Sequence, residues 1–253
     1  MPARPRKNVL VTGASRGIGR AIAQDLARRG FRVGVHFHSN ADAARETLSS
    51  LEGHSHVSLQ ADLGEPEEAR SLVCEAIEKL GGLNVAVNNA GIYDLHAIEE
   101  VDWAAWKESW QRTLATNLLG PASVMYEAAR HMIAQGGGRI INISSRGAFR
   151  GEPDAPAYGA SKAGLNAASQ SLARALGGRG VSVFVVAPGW VETDMALPHL
   201  EGPHGRAIRD QSPLRRAARP EEIARTVGFL ADDDVEYLTG CILDANGASY
   251  LRS

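Results

Sequence analysis

Val9-Leu10-Val11-Thr12-Gly13-Ala14-Ser15-Arg16-Gly17-Ile18-Gly19 runs a short apolar strand straight into a glycine-rich turn, and a helical pattern opens behind it. Glycines let such a turn tighten and let backbone N–H groups approach a pyrophosphate closely. The helix N-terminus adds partial positive charge at the same spot. A glycine-rich turn alone also serves plain chain reversal. Its place at the first strand–helix junction, opening a βαβ unit, is what points to a dinucleotide. The candidate contacts are Gly13, Ser15, Arg16, Gly17, Ile18 and Gly19, spaced G-x-x-x-G-x-G and not G-x-G-x-x-G.

Outward from this turn, short β-branched runs alternate with longer stretches of helical periodicity. Strands are expected at about 8–12, 32–37, 56–60, 84–88, 138–143, 181–187 and 240–244. Helices are expected near 17–29, 41–51, 65–80, 103–135, 157–177 and 220–231. This alternation implies parallel pairing through right-handed crossovers, with helices on both faces. Continuously apolar strands such as Val181-Ser-Val-Phe-Val-Val-Ala187 suit a sheet buried on both sides. The expected fold is therefore a single-domain, doubly wound Rossmann-type α/β fold with a seven-stranded parallel sheet, spanning 1–253. An irregular segment at about 194–218, holding several Pro, Gly and His, is a candidate substrate lid.

Composition bounds the partners. The 253 residues carry a formal net charge of −2 and 22% charged residues, which offers no electrostatic reason to expect nucleic acid or an anionic membrane. The basic stretch Met1 to Lys7 is followed by too short an apolar run for a signal peptide, so cytoplasm is the expected location. The longest apolar run, Val183 to Ala187, reads as a buried strand and not as a membrane span. Cys74 and Cys241 read as buried small hydrophobes.

At the end of the second strand many NAD enzymes carry an acid that bonds the adenosine ribose. Here Val35-His36-Phe37-His38-Ser39-Asn40 brings no carboxylate until Asp42, which leaves Ser39 and Asn40 as candidate cofactor contacts. Arg16 can offer a planar cation to a 2′-phosphate, or it is simply a solvated surface arginine. The two features favour NADP(H), with NAD(H) possible. His36 and His38, two apart on a strand, would share a face, but nothing nearby completes a ligand set and no metal is expected.

Tyr158-Gly-Ala-Ser-Lys162 opens a helix, and i and i+4 share a face, so phenol and ammonium can point into one cleft. A free tyrosine titrates near 10, and a fixed neighbouring cation lowers that value toward useful acid–base chemistry. Alone, such a pair is more often a helix-surface accident. Its company carries the argument. Ser144-Ser145 follows the strand Ile140-Ile-Asn-Ile143, Asn88-Asn-Ala-Gly91 ends strand four, and Asn117 sits inside a long helix as a polar position or a buried, bonded amide.

Taken together, the T-G-x-x-x-G-x-G turn, Asp62, N-N-A-G, the helical Asn, the Ser, Y-x-x-x-K and Pro188-Gly189 resemble the short-chain dehydrogenase/reductase family from Val9 to about Gly247. The resemblance implies Tyr158 as acid–base residue and Ser145, thirteen residues before it, on the substrate oxygen. It implies Lys162 on the nicotinamide ribose and Asn117 positioning a water in a relay from Lys162. Asp62 and Leu63 would bind adenine, and Asn89, Ala90 and Gly91 would line the adenosine ribose. Pro188, Gly189, Val191 and Thr193 would fix the carboxamide.

Within the family the pattern is most similar to 3-oxoacyl-[acyl-carrier-protein] reductases, through Pro188-Gly-Trp-Val-Glu-Thr-Asp-Met195, Arg219-Pro-Glu-Glu-Ile223 and Leu238-Thr-Gly240. That implies an NADPH-dependent reductase of a β-keto thioester, bound as a small molecule or on an acyl carrier protein docked at Arg130 and Arg179. Either arginine also reads as an ordinary surface charge. The resemblance further implies a homotetramer. The alternative is a dehydrogenase of a sugar, polyol or other secondary alcohol. A catalytically silent dinucleotide sensor would be signalled by loss of Tyr or Lys, and both are present. Trp103, Trp106 and Trp110, at i, i+3 and i+7, are expected to pack as one helix face and not as a substrate platform.

Overall fold

The structure is a computed structural model that describes residues 7–252; the basic stretch before Lys7 lies outside the described residues. Seven strands, all parallel, form one sheet: β1 (Asn8–Val11), β2 (Arg32–Phe37), β3 (Val57–Gln60), β4 (Val85–Asn88), β5 (Gly138–Ile143), β6 (Val181–Pro188) and β7 (Ile242–Ala245). Their order across the sheet is β3-β2-β1-β4-β5-β6-β7. The chain builds outward in one direction from β1 and then returns to start the other half at β4. A crevice therefore opens between the carboxyl ends of β1 and β4, where a doubly wound sheet binds its ligands.

Strand alternation fills two cores. Val9, Val11, Val85, Val87, Phe184 and Val186 face the layer of α1 (Gly17–Arg28), α2 (Ala41–Ser49) and α10 (Pro220–Ala231). Leu10, Ala86, Ile140, Val181 and Val183 face α3 (Pro66–Leu80), α5 (Gly120–Gln135) and α7 (Pro156–Leu176). Neighbouring strand residues thus enter opposite cores, as the two-residue period of a strand requires. No described helix is long and apolar enough to cross a membrane.

Several expectations need correction. The helix expected over 103–135 is α4 (Trp103–Leu114) and α5, joined by a π-helical turn at Ala115–Leu119 that centres on Asn117. A π-turn interrupts the i→i+4 ladder and re-aims the helix beyond it, and hydrophobic periodicity does not reveal it. Cys74 is exposed because Leu72, Val73 and Ala76 take the inner face of α3, and Cys241 is only half-buried, just before β7. Trp106 packs on Trp110 (5.9 Å) and edge-on against His96 (5.4 Å), but Trp103, beside the Asp102 cap, stands 72% exposed. His36 and His38 differ in their surroundings. β2 ends at Phe37, His36 is buried, and His38 turns out toward Asp62 at 3.5 Å.

The segment 194–218 folds into α8 (Leu197–Glu201) and α9 (Gly205–Asp210), pinned by a small cluster of Ala196, Leu200 and Ala217 with Trp190 and Ile208. Two further short elements, α6 (Gly147–Arg150) and a 3₁₀ turn at Gly177–Arg179, flank α7.

The glycine turn fits without spare room. Gly13 has φ +62°, and a Cβ there would meet the Ala90 Cα at 2.9 Å. A Cβ on Gly19 would lie 2.2 Å from the Gly13 carbonyl oxygen. Gly19→Ala should force α1 off the turn and lower unfolding stability by about 1–3 kcal/mol. Denaturant melts of the two proteins check this, and equal midpoints would contradict the packing account.

Candidate active site

The crevice between β1 and β4 continues across the carboxyl ends of β5 and β6 as one cleft of about 1150 Å³. Gly13, Ser15, Arg16, Gly17, Ile18 and Gly19 line one end, and Ser145, Tyr158 and Lys162 line the other. Between them run Ser39, Asn40, Asp62 and Leu63 on the β2–β3 side. Asn89, Ala90 and Gly91 follow β4, and Pro188, Gly189, Val191 and Thr193 follow β6. Of the expected residues, Asn117 is the one that stands behind the wall instead of on it.

The turn end suits a phosphorylated ligand. α1 starts with no side-chain cap and no acid in its first turn, so its leading N–H groups have no side-chain acceptor and face the cleft mouth. Arg16 is exposed there, with no side-chain partner among the described residues. Asp42, the first carboxylate after β2, pairs with Arg45 instead. Several expected contacts also carry structural duties. Asn40 caps α2 by accepting from the Ala43 N–H (3.0 Å), and Asp62 accepts from the Gly64 N–H (2.8 Å). The Asn89 amide donates to the Thr12 and Gly13 carbonyls (2.9 and 3.2 Å).

One brace was not anticipated. The His36 Nδ1 accepts from the Gly13 N–H at 3.0 Å, so its Nε2–H donates to the Ala61 carbonyl at 3.1 Å. Burial holds this imidazole neutral, its pKa pushed down to about 4. Alternation alone gave no sign of it.

At the other end, α7 places Tyr158 and Lys162 one turn apart. The Ser145 hydroxyl lies close enough to the Tyr158 phenol to influence it and accepts from the Gly147 N–H at 3.0 Å, which fixes the serine. The Lys162 Nζ donates to the Ile143 carbonyl at 2.9 Å and lies 5.7 Å from the Tyr158 ring centroid. The expected lowering of the tyrosine by the lysine is absent in this state. Burial pushes the Tyr158 phenol up to about 12 and outweighs the opposing influence of Ser145. Burial likewise pushes the Lys162 ammonium down to about 8. The phenol therefore keeps its proton at neutral pH.

Asn117 is buried and closes a two-way amide bond with the Ile92 backbone, accepting from its N–H (2.8 Å) and donating to its carbonyl (2.9 Å). This locks the chain after β4 beside Lys162: a Cβ on Gly91 would meet both the Asn117 Oδ1 (3.2 Å) and the Lys162 Nζ (3.4 Å). His96, also buried, accepts the Ala157 N–H (3.2 Å) and so caps the start of α7, whose own N-cap residue, Ala155, has no side chain able to do so. Tyr93 packs edge-on against Tyr158 at 4.9 Å and bonds Glu152. None of His96, Tyr93 and Glu152 stands out in the sequence, because each works through a loop whose path the sequence does not reveal. Arg130, which bonds the Tyr126 hydroxyl (2.7 Å), and Arg179 lie exposed on α5 and in the turn before β6; neither lines this cleft.

A glycine turn, a capless helix start and a Ser–Tyr–Lys set on one cleft have clear counterparts among known proteins. The family model described as enoyl-(acyl carrier protein) reductase matches residues 13–247. The 3-oxoacyl-[acyl-carrier-protein] reductase FabG of Staphylococcus aureus is 35% identical over 247 residues, covering 97% of this chain and 98% of that protein. The chain belongs to the short-chain dehydrogenase/reductase family. The L-rhamnose 1-dehydrogenase (NAD(P)(+)) of Azotobacter vinelandii is 37% identical, covering 97% of each. A short chain dehydrogenase from Burkholderia cenocepacia J2315, solved in complex with NADP, superposes with a TM-score of 0.87 at 34% identity, covering 96% of this chain and 97% of that one. The protein is thus an oxidoreductase of that family, built on its fold.

The His36 brace carries a pH signature. A histidine whose folded pKa is depressed contributes fully above its unfolded value of about 6.5, and loses that contribution as pH falls from there toward 4. Unfolding free energy should drop across this window by on the order of 3 kcal/mol from this group. His36→Gln, which keeps an acceptor but does not titrate, should flatten that part of the slope in denaturant titrations at pH 7 and 4.5; parallel slopes would contradict the assignment.

Proposed function

We propose that this protein is an NADPH-dependent carbonyl reductase acting on a 3-oxoacyl compound, with Tyr158 as the general acid. The observation that carries the reading is the gathering of Ser145, Tyr158 and Lys162 at one end of a dinucleotide-sized cleft that the glycine turn lines at the other, with a phenol that burial keeps protonated. NADPH, when bound, supplies the hydride. This chain's residues supply orientation and proton management. The capless start of α1 would hold the pyrophosphate, and the free Arg16 guanidinium the 2′-phosphate. Asp62 and Leu63 would hold adenine, with Ser39, Asn40, Asn89, Ala90 and Gly91 along the ribose. Pro188, Gly189, Val191 and Thr193 would seat the nicotinamide end. The NADP carried by the Burkholderia structure supports this cofactor.

The proton path follows from the geometry. Ser145 donates to the substrate oxygen where negative charge grows during reduction. Tyr158 hands its proton to that oxygen. Lys162 would then face the newly formed phenolate and offer it a countercharge. Asn117 acts as a positioning residue, holding the Ile92 backbone beside Lys162 in support of a relay toward solvent.

The staphylococcal relative supports a 3-oxoacyl substrate, and the rhamnose enzyme supports a second reading, a sugar or secondary-alcohol dehydrogenase run in the opposite direction. Segment 194–218 would serve as the lid, since Asp194, Met195, His199, His204 and Gln211 reach the cleft. A homotetramer would cover Trp103, Leu119 and Tyr126 on one side and Phe229, Tyr237 and Leu238 on another, all exposed in the single chain. An acyl carrier protein would meet Arg130 and Arg179.

Tyr158→Phe should lower kcat by about 10²–10⁴-fold while leaving NADPH affinity near that of the wild type. Steady-state rates with β-ketoacyl thioesters, sugars and alcohols, beside equilibrium NADPH binding, check this; retained turnover would contradict the role. Arg16→Ala should weaken NADPH binding by about tenfold or more and NADH binding far less. Equal losses would remove the 2′-phosphate assignment.

A further inference from the structure

The position directly after Ser145 is an arginine that the proton chemistry leaves unused. Arg146 is 4% exposed and lies at the wall of the cleft. Its Nη2 donates to the Gln211 Oε1 at 2.5 Å, while its Nη1 is buried with no hydrogen-bond partner. A second guanidinium, Arg150, reaches the same Gln211 oxygen at 3.3 Å from the cleft rim. Two cations therefore converge on one neutral amide oxygen. Neither makes an ion pair within 4.0 Å among the described residues.

A buried guanidinium remains charged at neutral pH, and such a charge is costly unless an anion meets it. Burial and the neighbouring Arg150 both weaken Arg146's hold on its proton, down to about 10, which still leaves it charged. Glu152 is the nearest countercharge. Its carboxyl is bonded by the Tyr93 hydroxyl and lies folded over Gly147, where a Cβ would meet it at 2.3 Å. It does not close on either arginine. The planar sp² oxygen of Gln211 thus occupies the place where a carboxylate oxygen would satisfy both forks. Gln211 follows α9 in the 194–218 segment and is exposed, so it can yield that place to a ligand.

We propose that Arg146 and Arg150 form a carboxylate-binding subsite beside Ser145, so that the preferred substrate is a keto acid with a free carboxylate. The inference rests on the carbonyl-reductase reading and narrows its substrate. A simple 3-oxoacyl thioester lacks the anion; a keto acid, or an acyl chain ending in a carboxylate, has it. Phosphorylated ketones share the negative charge but not the planar two-oxygen face, and they serve as one arm of the test.

The experiment compares acetoacetate and 4-oxopentanoate with their methyl esters and with dihydroxyacetone phosphate, using wild type, Arg146→Gln and Arg150→Gln. Succinate binding, followed by tryptophan fluorescence because Trp190 lines the cleft, gives a readout independent of turnover. Wild type should favour at least one acid over its own ester by tenfold or more in kcat/KM, through KM. Either variant should cut that ratio at least tenfold and weaken succinate binding in step. Arg150 is exposed, so its variant keeps the test available if Arg146→Gln does not fold. Acid and ester reduced alike by all three proteins would overturn the subsite and leave the reductase standing. No reduction of any ketone, with succinate binding still lost in the variants, would overturn the reductase reading and keep the subsite. A preference for dihydroxyacetone phosphate over both acids would overturn the carboxylate assignment.

Discussion

The Thr12 hydroxyl stands between the two halves of this molecule. It accepts the backbone N–H groups of Asn89 and Ala90 at 2.9 and 3.0 Å, while Asn89 returns its own amide to the Thr12 and Gly13 carbonyls. These bonds tie the end of β1 to the end of β4, the two strands between which the sheet reverses its order. A tie of this kind is needed because the polar groups of two chain turns meet in a buried place, where an unpaired amide is costly. With the two turns fixed, the mouth of the crevice has a set width. The start of α1 lies on one side and the chain leading to Asn117 on the other. His36, Gly13 and Gly19 reinforce the same junction.

The far end of the cleft depends on a different balance, between desolvation and hydrogen bonding. Burial drives both Tyr158 and Lys162 toward their neutral forms, so in the free protein the phenol holds its proton more tightly and the ammonium holds its own less tightly. A donor of the proposed kind would stay protonated at neutral pH until charge develops on a substrate oxygen. A pair that looks like a simple pKa-lowering device in the sequence is governed by burial in the folded chain.

Much of the fold was legible because it rests on local patterns. Strand alternation, the turn glycines and Y-x-x-x-K are short-range signals, and each lands on the element expected of it. What escaped reading was set by longer paths. The π-turn at Ala115–Leu119 leaves hydrophobic periodicity almost undisturbed, yet it is what turns Asn117 onto Ile92. His36 and His38 stand two apart, but β2 ends at Phe37 between them, which leaves His36 buried and His38 exposed beside Asp62. His96, Glu152 and Arg146 draw their meaning from loops that pass near α7 or the cleft, and loop paths follow from tertiary packing that no window of sequence contains. Cys74 and Trp103 show the converse error: small or aromatic residues in an apolar pattern are not thereby buried.

In the proposed reaction a protonated phenol and a serine hydroxyl would meet on one substrate oxygen and make a carbonyl the bond that is reduced, whereas the matching family model is described for an enoyl reductase. Incubation of an α,β-unsaturated ketone with NADPH deuterated at C4, followed by NMR of the product, separates the two chemistries in one tube. Deuterium on the carbinol carbon, with the carbon–carbon double bond intact, is the expected result. Deuterium on the β-carbon of a saturated ketone would contradict the account.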